Sequence, residues 1–510
     1  MANLKKALAG ALALCMAGSM LASCGKDDDS SSSKKDSSSK ADSAAATTDT
    51  QGGEDTPDTT GGTADPDPAP AADPDRVPTT DLHGVDSSED SKNTLTIYCW
   101  NTEFKSRLDA YYEKGAEALP VEKNADGEIT SINGVKLNWV QIENEGNAYQ
   151  TKLDDALAAQ ADSTEKVDMF LMEADYALKY ANGAVALTVT DLGITEDDMS
   201  QMYQYTKDVA TETATGELKG VSWQATPGLF LYNAAYAEQV LGTSDPDKVQ
   251  EFVKDWDTFK DTAAKMKDAG IYMVSGYDDA YRLYSAEVSA PWVTDGKINI
   301  DPKLKQWVDD TKEFTDNGWN NNTSLWSTEW ANGQKTDGKV FGYFFSTWGI
   351  PFTLKPNSGA ADGEDGGWRA CYGPQSYFWG GTWICGAIDS DNTDIVANIM
   401  KVMTMDKDVA KAITEGEQDY TNNKAAIQEL IDGGYTNDFL GGQNHLALLT
   451  EAADKIDLSN KLSAYDQGCN EKFQGAMAEY FKGNLSSYDA ALEQFKKDIT
   501  ALYGTLECNF

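Results

Sequence analysis

From residue 94 onward, short apolar runs rich in β-formers alternate with stretches that carry apolar residues at helical spacing. Leu95-Thr96-Ile97-Tyr98-Cys99-Trp100 reads as a strand, and the polar stretch through Tyr111 and Tyr112 reads as a helix. Asn133-Gly134 predicts a hairpin turn, followed by a strand over 135–142 that alternates Val135, Leu137 and Trp139. A helix over 149–161 leads to Val167-Asp168-Met169-Phe170-Leu171-Met172, apolar enough for a strand covered on both faces. Further strands are predicted at 229–232, 272–275 and 340–345, and helices at 256–269, 304–317 and 395–405. The last hundred residues read as mostly helical, with Ile427, Leu430 and Ile431, then Ala476, Tyr480 and Phe481, at helical spacing. Alternation of this kind predicts α/β architecture: parallel sheets covered by helices, here in two lobes with a ligand cleft between them.

The first 93 residues follow different rules. Met1-Ala2-Asn3-Leu4-Lys5-Lys6 and the apolar run to Leu21-Ala22-Ser23-Cys24 have the layout of a secretory signal, too short to remain as a membrane span. Leu21-Ala22-Ser23-Cys24-Gly25 resembles the bacterial lipobox, which implies cleavage before Cys24 and acylation of that cysteine. From Gly25 to Asn93 there is no Phe, Trp or Tyr, and six of the 14 prolines fall here. With so little apolar surface to bury, the segment is expected to be a disordered acidic tether. The chain divides accordingly: 1–23 signal, 24–93 lipidated cysteine and tether, 94–510 ligand-binding part. Within the last, one lobe is expected at about 94–222 and 376–408 and the other at about 234–370 and 409–510.

Charge then narrows the partners. Among 510 residues, 83 are acidic and 42 basic, a formal charge of -41, which repels phosphate backbones and anionic lipid, so no nucleic-acid partner is expected. Only His83 and His445 are present, too few for multi-histidine metal sites or most histidine catalysis. No metal and no cofactor are expected. Asp389-Ser390-Asp391-Asn392-Thr393-Asp394 has the look of a calcium loop but places Asp394 where the loop needs Gly and Met400 where it needs Glu, so it reads as a solvated helix lead-in. Beyond Cys15 and Cys24 five cysteines remain, and Cys371 with Cys385 is the first disulfide pair to test among Cys99, Cys371, Cys385, Cys469 and Cys508.

Several segments resemble the extracellular solute-binding proteins of bacterial ABC importers, in particular the sugar-binding group that includes maltose-binding proteins. Thr94-Leu95-Thr96-Ile97-Tyr98-Cys99-Trp100 looks like that family's first strand, and the segment from Val167 to Asp175 like the one that delivers polar groups to a sugar. Ala181-Asn182-Gly183-Ala184-Val185-Ala186-Leu187, the stretch from Lys219-Gly220-Val221 to Tyr232-Asn233, Trp256-Asp257-Thr258-Phe259, Gly338-Lys339-Val340 to Trp348, and Gly380-Gly381-Thr382-Trp383 follow in the family's order. There are departures: Val-Phe-Gly stands at 340–342 where Ala-Ala-Met is usual, and the aromatics fit no one subfamily. The resemblance implies a non-catalytic, monomeric receptor on the outer face of the cell membrane. It would close on a carbohydrate, an oligosaccharide in preference to a monosaccharide, about a hinge near 223–233 and 371–375, and present it to permease subunits.

A sugar offers flat C–H faces to aromatic rings and a rim of hydroxyls to charged or amide groups. Residues of both kinds stand near predicted strand ends: Trp100, Asn101 and Glu103; Glu173 and Asp175; Trp223; Tyr277 and Asp278; Trp348, Trp379 and Trp383. Each also has a plain structural reading: Glu103 as a helix-start charge, Asp175 as an N-cap, Tyr277-Asp278-Asp279 as a turn. Trp139, Trp256 and Trp307 sit inside periodic patterns and read as core. Tyr420-Thr421-Asn422-Asn423 is a further candidate for the far end of the groove. Two rival functions compete with a receptor: a cell-surface glycoside hydrolase, which needs two carboxylates at catalytic separation, and a carbohydrate-binding adhesin, for which β-sandwich modules are more usual.

Overall fold

The computed structural model describes residues 84–510. The signal-like segment, Cys24, His83 and the tether up to 83 lie outside the described residues.

The first lobe is built from β1 (Thr94–Cys99), β2 (Val121–Lys123), β3 (Ile129–Ile132), β4 (Val135–Gln141), β5 (Met169–Glu173) and β6 (Val221–Ser222). The second contains β7 (Gly228–Asn233), β8 (Val274–Gly276), β9 (Val293–Thr294), β10 (Lys297–Ile298), β11 (Asn320–Thr323), β12 (Gly342–Ser346) and β13 (Trp368–Cys371). The chain then returns to the first sheet as β14 (Thr382–Gly386), and β15 (Glu507–Cys508) edges the second lobe. The first sheet runs β2-β3-β4-β1-β5-β14-β6 and the second lobe's main sheet β12-β7-β13. Both are less uniform than the expected parallel sheets. β4, β1 and β5 are parallel, whereas β14 lies antiparallel to β5 and β6, and β7 is flanked by antiparallel partners on both sides.

Local chemistry accounts for the elements. Asn133 and Gly134 both take positive φ, 50° and 83°, as the tight turn between β3 and β4 requires. The helix Trp256–Asp268 starts where Asp255 accepts the Thr258 amide and the Thr258 hydroxyl reaches back to the Asp255 carbonyl and amide, a capping box. β5 is buried on both faces: Met169 and Leu171 join one core, Phe170 and Met172 another. β7 does the same in the second lobe, sending Leu229 and Leu231 one way and Phe230 and Tyr232 the other. Each such side chain contributes about 1.5–3 kcal/mol by leaving water, so these two strands anchor their lobes.

The tether ends earlier than 93. Ser88 caps a short helix, Glu89–Lys92, Val85 N–H donates to the Ala161 carbonyl at 2.7 Å, and Ser87 and Ser91 hydroxyls donate to Asp391 at 2.6 and 2.9 Å. The 389–394 run is therefore a docking site for this segment rather than a solvated lead-in. Beneath it the buried Lys166 ammonium meets Asp389 at 2.6 Å. The lobe boundary expected at 408/409 moves as well, because the helix Lys407–Glu417 places Val409 and Ile413 in the first lobe's core. The five described cysteines are free thiols, and Cys371 and Cys385 sit on β13 and β14 in different sheets, so the first-choice disulfide is not formed.

Candidate functional site

The chain crosses between lobes at 223–227, at 372–381 and again after Glu417, the third crossing later than the 408/409 expected from the sequence. Tyr420, Thr421, Asn422 and Asn423 belong to it and are buried. Asn422 donates to Ser222 O and Thr206 Oγ1 and accepts from Tyr203 N, so this segment is structural rather than a groove lining.

On the first-lobe wall, Trp100 follows β1 half-buried and packs edgewise on Tyr149 (5.5 Å) and Tyr176 (6.2 Å). Asn101 Oδ1 accepts the Glu103 amide at 2.9 Å, turning strand into helix. The Glu103 carboxylate lies 3.2 Å from Gln224 Nε2 and 3.6 Å from Arg107, and burial pushes it up to about 7 with Asp419 and Glu417 adding repulsion. At the end of β5, Glu173 and not Asp175 is the cap: it accepts the Asp175 amide at 2.8 Å. Its carboxyl is held well above the usual range, first by burial and then by the neighbouring Asp175. Asp175 instead reaches across to the second lobe, where both its oxygens take the two guanidinium nitrogens of Arg282 at 2.6 Å.

In the second lobe and the second crossing, three half-buried tryptophans form a shelf. Trp348 and Trp379 meet edge to face at 5.1 Å, Trp326 lies nearly parallel to Trp348 at 6.2 Å, and Trp348 Nε1 donates to the Trp379 carbonyl at 2.8 Å. Gly380, at φ 72°, is required here: a Cβ would stand 3.1 Å from Trp348 Nε1. Sequence reasoning missed Trp326. Trp348 stands out in the sequence as an aromatic near a predicted strand end; no strand is predicted before Trp326, which follows the polar run Asn320-Asn321-Asn322-Thr323-Ser324. Its backbone is held at φ 66°, rare for a bulky residue and costing on the order of 1 kcal/mol. Asp278 steadies that loop by accepting the Leu325 amide at 3.3 Å, while burial raises its carboxyl to about 6.

Three expected contacts are core instead. Trp223 is 1% exposed and stacks on Phe104 at 5.3 Å; Trp383 is 1% exposed, on the inner face of β14, with Nε1 donating to Thr206 O at 2.7 Å. Tyr277 is buried against Phe481 at 5.9 Å. In each case strand direction turned the ring inward, which a one-dimensional pattern at a strand end does not specify. Trp307 is core as expected, whereas Trp139 and Trp256 are only half-buried.

Beside the Asp175–Arg282 pair a cavity of about 60 Å³ remains, lined by Asp175 of the first lobe, Phe378 of the second crossing and second-lobe residues that include Arg282, Asp466 and Asn470. That is room for a few waters, and with the Asp175–Arg282 pair joining the two lobes the cleft is closed at this point.

A family model for bacterial extracellular solute-binding proteins matches residues 127–440. The chain belongs to that family. No curated protein matches it. Its fold is shared with solved structures at low identity. An extracellular solute-binding protein of family 1 is 18% identical, with a TM-score of 0.63 over 79% of this chain and 99% of that one. An ABC transporter associated binding protein from B. animalis subsp. lactis Bl-04, in complex with beta-1,6-galactobiose, is also 18% identical, with a TM-score of 0.61 over 82% and 100%. The galacto-N-biose-/lacto-N-biose I-binding protein of the ABC transporter from Bifidobacterium longum is 16% identical, with a TM-score of 0.55 over 74% and 91%. This solute-binding protein thus has the two-lobed α/β fold expected, and its family binds solutes rather than transforming them.

Proposed function

We propose that this solute-binding protein captures a carbohydrate, an oligosaccharide in preference to a monosaccharide, in the interlobe cleft and delivers it to the permease subunits of an ABC importer without chemical change. The observation that carries the reading is the shelf of three adjoining, half-buried tryptophans, Trp326, Trp348 and Trp379. Three adjoining rings offer stacking area for more than one sugar unit, while Trp100, Asn101, Glu103, Glu173, Asp175 and Asp278 supply or position hydrogen-bonding groups for hydroxyls. Binding proteins of the same fold hold beta-1,6-galactobiose, lacto-N-biose, cycloalternan and maltose, which supports an oligosaccharide ligand. Ligand selects the closed form by binding it more tightly than the open one. The lipobox at Cys24 supports attachment to the outer face of the cell membrane, with the acidic tether lifting a monomeric receptor clear of it.

The test is isothermal titration of the protein against α- and β-linked oligosaccharides, with product analysis of the same mixtures. Micromolar or tighter binding with sugar recovered intact is expected. Shortened sugars would replace the receptor by a hydrolase, and no heat with any glycan would refute a carbohydrate ligand.

A further inference from the structure

One buried side chain sits where the hinge crossings converge on the first lobe. Gln224, 2% exposed, lies in the first crossing, and its backbone bridges Thr421 in the third. Its Oε1 accepts the amide of Thr382, the first residue of β14 directly after the second crossing, at 3.2 Å. Its Nε2 has two hydrogens and spends both on carboxylates: Asp419 Oδ2 at 2.7 Å and Glu103 Oε1 at 3.2 Å. Asp419 passes the connection on, since its Oδ1 accepts the Thr347 hydroxyl at 3.1 Å, and Thr347 follows β12 directly before Trp348. One amide therefore ties the first-lobe cleft residue Glu103 to the third crossing and to the start of β14, where the second crossing ends, and, through Asp419, to the second-lobe tryptophan shelf.

We infer that Gln224 is the positioning residue of the hinge, setting the angle at which the lobes stand and coupling Glu103 in the cleft to that angle. The inference rests on the reading of this protein as a receptor that closes on its ligand. The chemistry demands a neutral side chain that donates twice and accepts once, at a length that spans the junction, and glutamine meets that. Burial makes the arrangement all-or-none: any loss leaves Asp419 and Glu103 facing each other without their shared donor, and Thr382 N–H without its acceptor. The other charged groups around Glu103 are Arg107, in contact with it and paired to Glu417 at 2.8 Å, and Glu417 itself. A swing that carries Thr347 and Asp419 away from Glu103 and Thr382 must break this junction. The closed and open angles are therefore separate states rather than a continuum.

The test uses the full chain in mild detergent with spin labels at Asp126→Cys in the first lobe and Lys497→Cys in the second, both exposed, in a Cys15→Ser, Cys24→Ser and Cys508→Ser background. Interlobe distance distributions are recorded without ligand by double electron–electron resonance. Gln224→Met keeps the volume and removes all three hydrogen bonds; it should move the ligand-free distribution to longer, broader distances and weaken ligand binding about tenfold. Gln224→Glu should match the Met variant at pH 8, where a third carboxylate joins the cluster. By pH 5 it should return part of the way toward the distribution of the unsubstituted protein at that pH, because a protonated carboxyl regains one of the two donors and the acceptor. The pH series keeps the test alive should the Met variant not fold. Distances unchanged in both variants, with only a lowered melting temperature, would overturn the inference and leave Gln224 a structural residue. Because the distances are read without ligand, absence of sugar binding by the unsubstituted protein would count against the proposed ligand and not against the hinge.

Discussion

Replacing Arg282 by methionine removes the cation that bridges the closed cleft while keeping most of the side chain's apolar stem. The pair is bidentate at 2.6 Å, and its two side chains are 23% and 25% exposed. Breaking a fully buried pair costs about 3–5 kcal/mol and a surface pair at most about 1 kcal/mol. For this intermediate exposure we take about 2 kcal/mol, or roughly 30-fold in an equilibrium constant. In the open form Asp175 and Arg282 are separated and solvated, so the cost falls on closure: affinity should drop about 30-fold with little change in melting temperature. Isothermal titration of Arg282→Met, Asp175→Asn and the double variant forms a thermodynamic cycle that separates the pair's coupling from any direct contact of Arg282 with ligand. Additive single effects, with no coupling between the two positions, would refute the bridge as a closing contact.

Other outcomes follow from the same geometry. Glu173 is raised by burial, as is Asp466, which reaches about 7; both lie beside Asp175 and Arg282. The closed cleft therefore holds more protons than the open one between about pH 4 and 7, and affinity should fall as pH rises through that window. Titration in buffers of different ionisation enthalpy should show proton uptake on binding, and proton release would contradict the assignment. Trp326→Ala should weaken oligosaccharide binding about tenfold, whereas Trp223→Ala and Trp383→Ala should cost about 3–5 kcal/mol of stability; equal effects on binding from all three would undo the division into shelf and core. His445 is fully buried, neither ring nitrogen has a partner, and burial depresses it to about 4. The folded form keeps it neutral while the unfolded chain protonates it, so stability should be lost as pH falls from about 6.5 toward 4, by about 2 kcal/mol at pH 5. His445→Phe should flatten that slope in denaturant titrations at pH 7 and 5, and an unchanged slope would assign the acid sensitivity elsewhere.

What was legible along the chain was whatever obeys local periodicity and local sterics. The run Met169-Phe170-Leu171-Met172 announces a strand covered on both faces because any such run must bury both, and Asn133-Gly134 announces its turn because few other pairs tolerate positive φ twice. The order of those elements was enough for two α/β lobes and for the family resemblance, and the placement of Trp348 and Trp379 in glycine-rich turns was enough to single them out. Tertiary structure decided the rest, because it depends on where distant strands meet. Whether a ring at a strand end points into a cleft or a core is set by the twist and partner of that strand, and this moved Trp223, Tyr277 and Trp383 inside and brought Trp326 out. The Asp175–Arg282 bridge joins residues 107 positions apart, and the Gln224 junction draws on segments from 103 to 419. A hydrogen bond has no signature in sequence until the fold supplies its second atom.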